Sequence, residues 1–591
     1  MTSSDTSPSV LAELYAGRVR TDLLTPFPEQ DSDDVQAGTN AVALLEGLLA
    51  DHLDPETVES TGELPDGLLE KLQGAGLLRL MVEPALGGLG LSWLNACRVV
   101  EAAALRSVAV AFVLSIQNGF GSATYLPALS DGPLRELIAE KVATGIVSAA
   151  ADAEPAGAAN ESRQTVAVPV EDGAAYLLTG EKLFIGNGAV ADFLDVSATV
   201  AGTVRLFFVD TSSPGFEVVA RHEFMGLRGA PFGRLRLTDV RVPAEQLMSA
   251  DQDWRMRPDV AVRGMDVERD LGLRAALGRH LVIGPPSLAI ARLALEWARE
   301  FVGRRVIDGR PLGEYEEIQR SVGEIAAEIH TIETVQQWCL LGLARANTEP
   351  ELAAAKNITS RAAGRAIDRA MAILGGEGYE TARSKAARGV PAHPVERYLR
   401  DARALRVAGG VDTMMDRWSF QANHRPSVPA APGDSYLAVQ AHRFATTCQS
   451  LAEPTQRQSA LLGRLGGELL TLTLLTARTG FPAAEEQSRR RLELLWTAVD
   501  DELEPGASPA TQLGKQLLDP TEAIVTALWI EAFGTADGDF FSLGGHSMVA
   551  VRLAARLRER LGVRVPVRVI LEKPTVAELV RHLSEGDHRE S

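Results

Sequence analysis

Ser547, which closes the stretch Asp539-Phe-Phe-Ser-Leu-Gly-Gly-His-Ser547, is the residue whose neighbours best prepare it for chemistry. Gly544 and Gly545 let the chain turn sharply and leave the Ser547 hydroxyl exposed where a helix begins. The N-terminus of that helix favours a phosphate attached to the hydroxyl. Leu553, Leu557 and Leu561 recur at four-residue spacing and predict an apolar stripe, with Arg552, Arg556 and Arg560 on another face. Two other chemistries fit less of the segment. Gly545-His-Ser-Met-Val549 approaches the Gly-x-Ser-x-Gly elbow of serine hydrolases, but valine stands at the second glycine, no strand leads into the turn and too few residues follow. A helix-capping serine accounts for Ser547 alone and leaves the rest of the motif unexplained. Cys97, Cys339 and Cys448 lie far apart, which excludes a disulfide scaffold and a cysteine-rich zinc site; no metal is expected.

The elements that must position such residues follow from periodicity. Residues 1–37 are Ser/Pro/Asp-rich and read as a flexible tail. Apolar residues at three- and four-residue spacing predict a helical domain over 38–150. The period changes to two over 151–255, where short strands such as Val204-Arg-Leu-Phe-Phe-Val209 alternate with Gly, Pro and Asp turns. Helices return over 256–420. A Pro-rich linker (421–434) precedes a helical extension (435–503), and a Pro/Gly/Ser linker (504–512) precedes a small helical domain (513–585). The expected class is multi-domain α+β, without internal repeats.

The 591 residues exceed what one hydrophobic core organises, and 46% hydrophobic content is that of a soluble globular protein. A net charge of −19 argues against a nucleic-acid binder. The opening residues resemble no signal peptide and no apolar run reaches membrane-spanning length, so a cytoplasmic protein without nucleic-acid or membrane partners is expected.

The segment from about Leu513 to Leu583 resembles a peptidyl carrier protein, whose hallmark is Phe-Phe…Gly-Gly-His-Ser. The resemblance implies 4′-phosphopantetheine on Ser547, a thiol-ended arm holding an acyl group as a thioester. From Gln512 onward there are ten Lys/Arg and eleven Asp/Glu, a balance closer to peptide-synthetase carriers than to acidic fatty-acid carriers. Residues 38–420 resemble acyl-CoA dehydrogenases through several motifs in the family's order. These are Glu83-Pro-Ala-Leu-Gly-Gly-Leu-Gly-Leu91, Leu178-Thr-Gly-Glu-Lys-Leu-Phe-Ile-Gly-Asn-Gly188, Arg304-Arg-Val-Ile-Asp-Gly-Arg-Pro-Leu312, Leu374-Gly-Gly-Glu-Gly-Tyr379 and Pro394-Val-Glu-Arg-Tyr-Leu-Arg-Asp-Ala402. The implied fold is a helical domain, a central β-barrel-like domain and a four-helix bundle, followed here by the extension and a four-helix carrier.

The same resemblance implies FAD and α,β-desaturation of a thioester, in which a carboxylate takes the α-proton and hydride leaves the β-carbon. The usual late Glu-Gly-Thr base is missing, since Gly409-Gly410-Val411 stands there. Isovaleryl-CoA dehydrogenases lack it too and use a glutamate in Asp-Leu-Glu-Arg, so Asp266-Val-Glu-Arg269 nominates Glu268. Gly272 and Ala275 share its helical face and leave room beside it. The Gly409 N–H is the implied donor to the thioester oxygen. For the flavin the resemblance nominates Ile185 and Gly186, Phe184 in place of a tryptophan over the ring, Arg305 across a subunit interface, and Gly375 and Gly376 for close backbone approach. Glu154-Pro-Ala-Gly-Ala-Ala-Asn160 loses the family's Gly-Ser-Asp, and Ala372, Val411 and Thr413 also depart from the family pattern.

Joining a thioester oxidiser to a carrier implies a tethered substrate, as in nonribosomal peptide or polyketide assembly. The implied partners are a phosphopantetheinyl transferase, a separate adenylation or acyl-loading enzyme, downstream synthetase or synthase modules, an electron acceptor or O2, and copies of the chain in a homodimer or homotetramer. Two alternatives stand beside this reading. One is flavin oxidation of a hydroxylated carrier-bound unit, glyceryl or seryl, toward an unusual malonyl extender; the other is a non-catalytic scaffold for the carrier.

Overall fold

A computed structural model describes residues 8–585 except 128, 130, 158–162, 249–265, 427, 432, 505, 507 and 519. The side chains of 266–271, 516 and 585 are likewise outside the description. The chain divides into two compact units, Met1–Asp501 and Glu502–Ser591.

The first unit is built as helices, sheet, helices. Helices Ser32–His52, Trp93–Arg106 and Val108–Phe120 precede seven strands: β1 (Ser148–Ala151), β2 (Val166–Val170), β3 (Ala175–Ile185), β4 (Phe193–Val200), β5 (Thr203–Asp210), β6 (Phe216–Arg221) and β7 (Gly233–Pro243). They form one mixed sheet in the order β1-β4-β2-β3-β7-β6, with β5 paired to β4. Its core is a run of alternating inward residues, among them Leu178, Leu194, Val196, Phe207, Leu235 and Leu237. A 39-residue helix, Asp266–Arg304, then packs with Glu316–Leu341, Glu349–Leu374 and Val395–Leu405 around Ile290, Ala294, Ile325, Ala363 and Ile367. Two helices, Gly272–Arg304 and Gln456–Arg478, are apolar and long enough to cross a membrane. Their most apolar windows are 83% and 67% buried inside the unit, as core helices are.

The N-terminal segment differs from the flexible tail expected over 1–37. Ser9 caps the helix Val10–Tyr15, and Val10, Leu11, Leu14 and Tyr15 are buried. Buried Glu351 accepts hydrogen bonds from Ser9 Oγ and the Leu11 N–H, and Tyr15 meets Phe444 edge-on at 4.7 Å. One and a half turns of apolar residues are too short to show as a period, so only their partners reveal them. Phe444 belongs to the extension, whose helices Tyr436–Ser450, Gln456–Arg478 and Pro482–Leu503 are part of the same compact unit. The intervening stretch expected as a linker is pinned: the Ala430 N–H donates to Ala16 O, and Ala430 O contacts His442 Nδ1 at 2.8 Å.

In the second unit the first helix, Pro509–Leu518, begins inside the stretch expected as linker. Helices Thr521–Phe533, Ser547–Leu561, Val567–Glu572 and Val576–Glu585 enclose Val525, Trp529, Phe540, Leu553, Leu557, Ile570 and Leu579. The apolar stripe read from Leu553 and Leu557 faces this core.

Candidate functional site

The end of β3 presents an aromatic platform. Phe184 is 55% exposed although apolar, and its φ of 57° turns it out of the strand. Its N–H donates to His222 Nε2 at 3.3 Å, and the rings lie 4.7 Å apart. Burial and Arg234 lower the His222 pKa, which keeps that ring neutral and able to accept. Phe224 backs both rings and meets Phe232 edge-on at 5.1 Å. Ile185 is buried behind the platform, and a Cβ on Gly186 would overlap Ile116. Two residues before Phe184, Lys182 is fully buried and donates to Glu154 at 2.7 Å and to Ser197 O at 2.6 Å. Glu154 also accepts from the N–H groups of Gln164 and Thr165, so it braces the strand under the platform.

One helix joins this platform to the loop at Gly409. Ile116, which touches Gly186, lies one turn before Gly119, and Gly119 packs backbone to backbone against Gly278 of the long helix. The next residue, Arg279, lies along Gly409: a Cβ there would stand 3.2 Å from Arg279 Cγ and 3.7 Å from its Nε. Gly409 itself is an exposed residue at φ 68°, after the helix Val395–Leu405, and its N–H makes no hydrogen bond among the described residues. Lys356 holds the loop by donating to Gly410 O at 2.5 Å and Arg406 O at 3.3 Å; burial lowers its pKa to about 8.

Glu268 stands about three helical turns from Arg279, the residue beside Gly409. Its side chain lies outside the described residues, but its backbone is in the same helix as Arg279, eleven residues earlier. At the helical rise that is about 16 Å along the axis, and eleven residues are close to three whole turns, so the two share one helical face. The two residues nominated for one thioester therefore belong to different turns, and the side chain delivered to Gly409 is an arginine. Periodicity had offered no sign of Arg279, because nothing local marks which turn of a long helix meets a distant loop.

Gly375, Gly376 and Arg305 form a second cluster. Arg304 pairs with Glu377 at 2.5 Å, which brings the start of the Arg305 hairpin to the turn ending the helix Glu349–Leu374. Gly375 has a φ of 57°, and a Cβ on either glycine would enter open space. Arg305 is exposed and has no ion pair among the described residues. An aromatic plate, an unfilled glycine turn and a free guanidinium are what an isoalloxazine ring and a pyrophosphate require, so these residues fit FAD. A cavity of about 240 Å³ between the bundle and the extension is lined by none of them. Its charges are mostly paired with each other, as in Arg361–Asp416 at 2.6 Å and Arg491–Glu468 at 3.0 Å.

In the small unit, Ser547 is the exposed first residue of its helix. Asp539 Oδ1 accepts from the N–H groups of Phe541 and Ser542, and the Gly545 N–H donates to Phe540 O at 2.7 Å. Gly544 has a φ of 85°, whereas Gly545 is required by space: a Cβ there would overlap the Phe540 carbonyl and ring. Gly545→Ala is accordingly expected to destabilise this unit by about 1–3 kcal/mol, read as a downward shift of its unfolding transition; an unchanged transition would contradict the packing argument.

Known proteins match the same two parts. Residues 42–145, 149–240 and 276–418 match the families described as acyl-CoA dehydrogenase N-terminal, middle and C-terminal domains, and residues 523–583 match a phosphopantetheine attachment site. A probable acyl-CoA dehydrogenase, FadE10 of Mycobacterium tuberculosis, is 32% identical over 421 residues, covering 69% of this chain and 62% of that protein. The chain thus spans less than two thirds of that relative. Butyryl-CoA dehydrogenase from Megasphaera elsdenii superposes with a TM-score of 0.56 at 24% identity, over 67% of this chain and 99% of the other. A probable acyl-CoA dehydrogenase from Mycobacterium abscessus does so with 0.54 at 26%, over 66% and 98%.

Proposed function

Because the chain belongs to the acyl-CoA dehydrogenase family and carries a C-terminal phosphopantetheine-attachment domain, we propose that it is a FAD-dependent dehydrogenase. Its proposed substrate is an acyl or aminoacyl thioester tethered at Ser547, in the assembly of a nonribosomal peptide or polyketide. The observation that carries the reading is the coexistence in one chain of the Phe184 platform and a Gly-Gly turn presenting Ser547 at a helix start. Phe184, Ile185 and Gly186 are assigned to the flavin ring, and Arg305, Gly375 and Gly376 to its pyrophosphate. FAD supplies, when bound, the two-electron acceptor. The Gly409 N–H is assigned to the thioester oxygen, where a hydrogen bond stabilises charge developing as the α-proton passes to a base, the role proposed for the Glu268 carboxylate. A phosphopantetheinyl transferase, a separate loading enzyme and copies of the chain itself are the proposed partners.

The test is to load the purified holo chain with a panel of acyl groups, follow anaerobic bleaching of the flavin, and weigh the intact protein. Loss of two hydrogens from the tethered group is expected. Gain of oxygen would favour the hydroxylated-unit alternative, and a protein that retains no yellow flavin would favour the scaffold. Glu268→Gln is expected to slow bleaching by about 10²–10⁴, the cost of removing a general base. A loss of less than about tenfold would show that another group takes the proton.

A further inference from the structure

Among the described residues, Arg279 is a charge without a counterpart at the place where the acyl group is assigned. It is half-buried, its Nε is fully buried without a hydrogen-bond partner, and no ion pair to its guanidinium exists among the described residues. Burial is the cause that lowers its pKa, yet a guanidinium stays protonated at any ordinary pH. The surrounding charges are already committed. Lys356 is spent on the carbonyls of Gly410 and Arg406, and Asp412 is shared by Lys356, Arg361 and Arg406. Asp416 pairs with Arg361. The neighbour along the Arg279 side chain is Gly409, which has no side chain to offer. A desolvated, unpaired cation is costly and draws an anion when one of the right shape arrives.

We propose that Arg279 is a specificity-determining residue that pairs with a second carboxylate on the tethered acyl unit, so that the substrate class is the monothioester of a dicarboxylic acid. This inference rests on the dehydrogenase reading above. It adds that the acyl chain turns its charged end toward Arg279 while its thioester oxygen meets the Gly409 N–H. The pairing is one of binding only, with no bond made or broken at Arg279. Because Arg can bind a carboxylate through two parallel hydrogen bonds, lysine should replace it only in part.

Two measurements test this. In the first, calorimetry on the full chain compares two pantetheine thioethers of equal chain length, one ending in a carboxylate and one in a methyl group. The carboxylate ligand should bind about tenfold or more tightly, Arg279→Gln should reduce that ratio to within about twofold, and Arg279→Lys should retain part of it. In the second, the holo chain is loaded with succinyl or butyryl, and the ratio of flavin bleaching rates should fall in parallel across the same variants. Equal affinities in the unaltered chain, or a preference that survives Arg279→Gln, would overturn the proposal. A carboxylate preference in binding with no bleaching by any acyl group would leave the Arg279 site standing and sink the dehydrogenase reading instead. Bleaching that ignores the carboxylate would do the reverse.

Discussion

Ser547→Ala is expected to emerge from incubation with a phosphopantetheinyl transferase and CoA at unchanged mass, and to show no bleaching of flavin by any loading reaction. The unaltered chain should gain one phosphopantetheine and bleach. The reason is geometric: Ser547 is the hydroxyl exposed at the first turn of its helix, immediately after a Gly-Gly turn that no larger residue could replace at Gly545. A tethered thioester is also presented at an effective concentration on the order of mM. Supplied instead with roughly 10 μM free acyl-CoA, the variant should therefore turn over about 100-fold more slowly than the loaded chain. Rates from free acyl-CoA equal to those of the loaded chain would show that the carrier does not feed this active site. The variant should unfold as the unaltered chain does, since an exposed hydroxyl holds nothing together.

Lys182→Met is expected to cause the largest loss of stability, about 3–5 kcal/mol, because it strands Glu154 as an unpaired buried charge. Denaturant unfolding measures it, and the double variant Lys182→Met, Glu154→Gln should recover much of the loss; a change below about 1 kcal/mol would refute the argument. The two partners respond unequally to their pairing. For Glu154, burial opposes the charge, but hydrogen bonds from Lys182 and Thr165 outweigh it and hold its pKa below the usual range. For Lys182, burial outweighs the attraction of Glu154 and lowers the pKa. Glu154 also receives two backbone N–H groups, which explains why it gains more. A depressed carboxylate pKa adds stability that is present above its unfolded value of 4.5 and is lost as the pH falls through the lower folded value. The acid limb of the stability profile should therefore shrink in Lys182→Met. Because Lys182 and Phe184 share β3, the same variant should lose flavin at a lower temperature.

Much of this protein was readable without coordinates wherever the information is local. Asp539–Ser547 and the Leu553–Leu557 stripe are contiguous, so turn chemistry and helical period alone predicted an exposed serine at a helix start, and the structure has it there. The change of period near residue 150 likewise marked the sheet, since alternation along a strand is written into neighbouring residues. The short helix Val10–Tyr15 escaped, because its apolar residues acquire meaning only against Glu351 and Phe444, hundreds of residues away.

The candidate active site divides in the same way. Phe184, Gly375, Gly409 and Ser547 could be named from motifs. What faces Gly409 could not, because a helix repeats its faces every 3.6 residues or so, and the Asp266–Arg304 helix offers many turns that look alike in sequence. Glu268 and Arg279 are both polar residues on that helix, and packing sets Arg279 beside Gly409. Gly119 and Gly278 pack so closely that the helix cannot slide, and this sets its register. The chemical repertoire was thus determined by the sequence, while the charge set beside Gly409 was decided by tertiary packing, which alone selects one turn among equivalents.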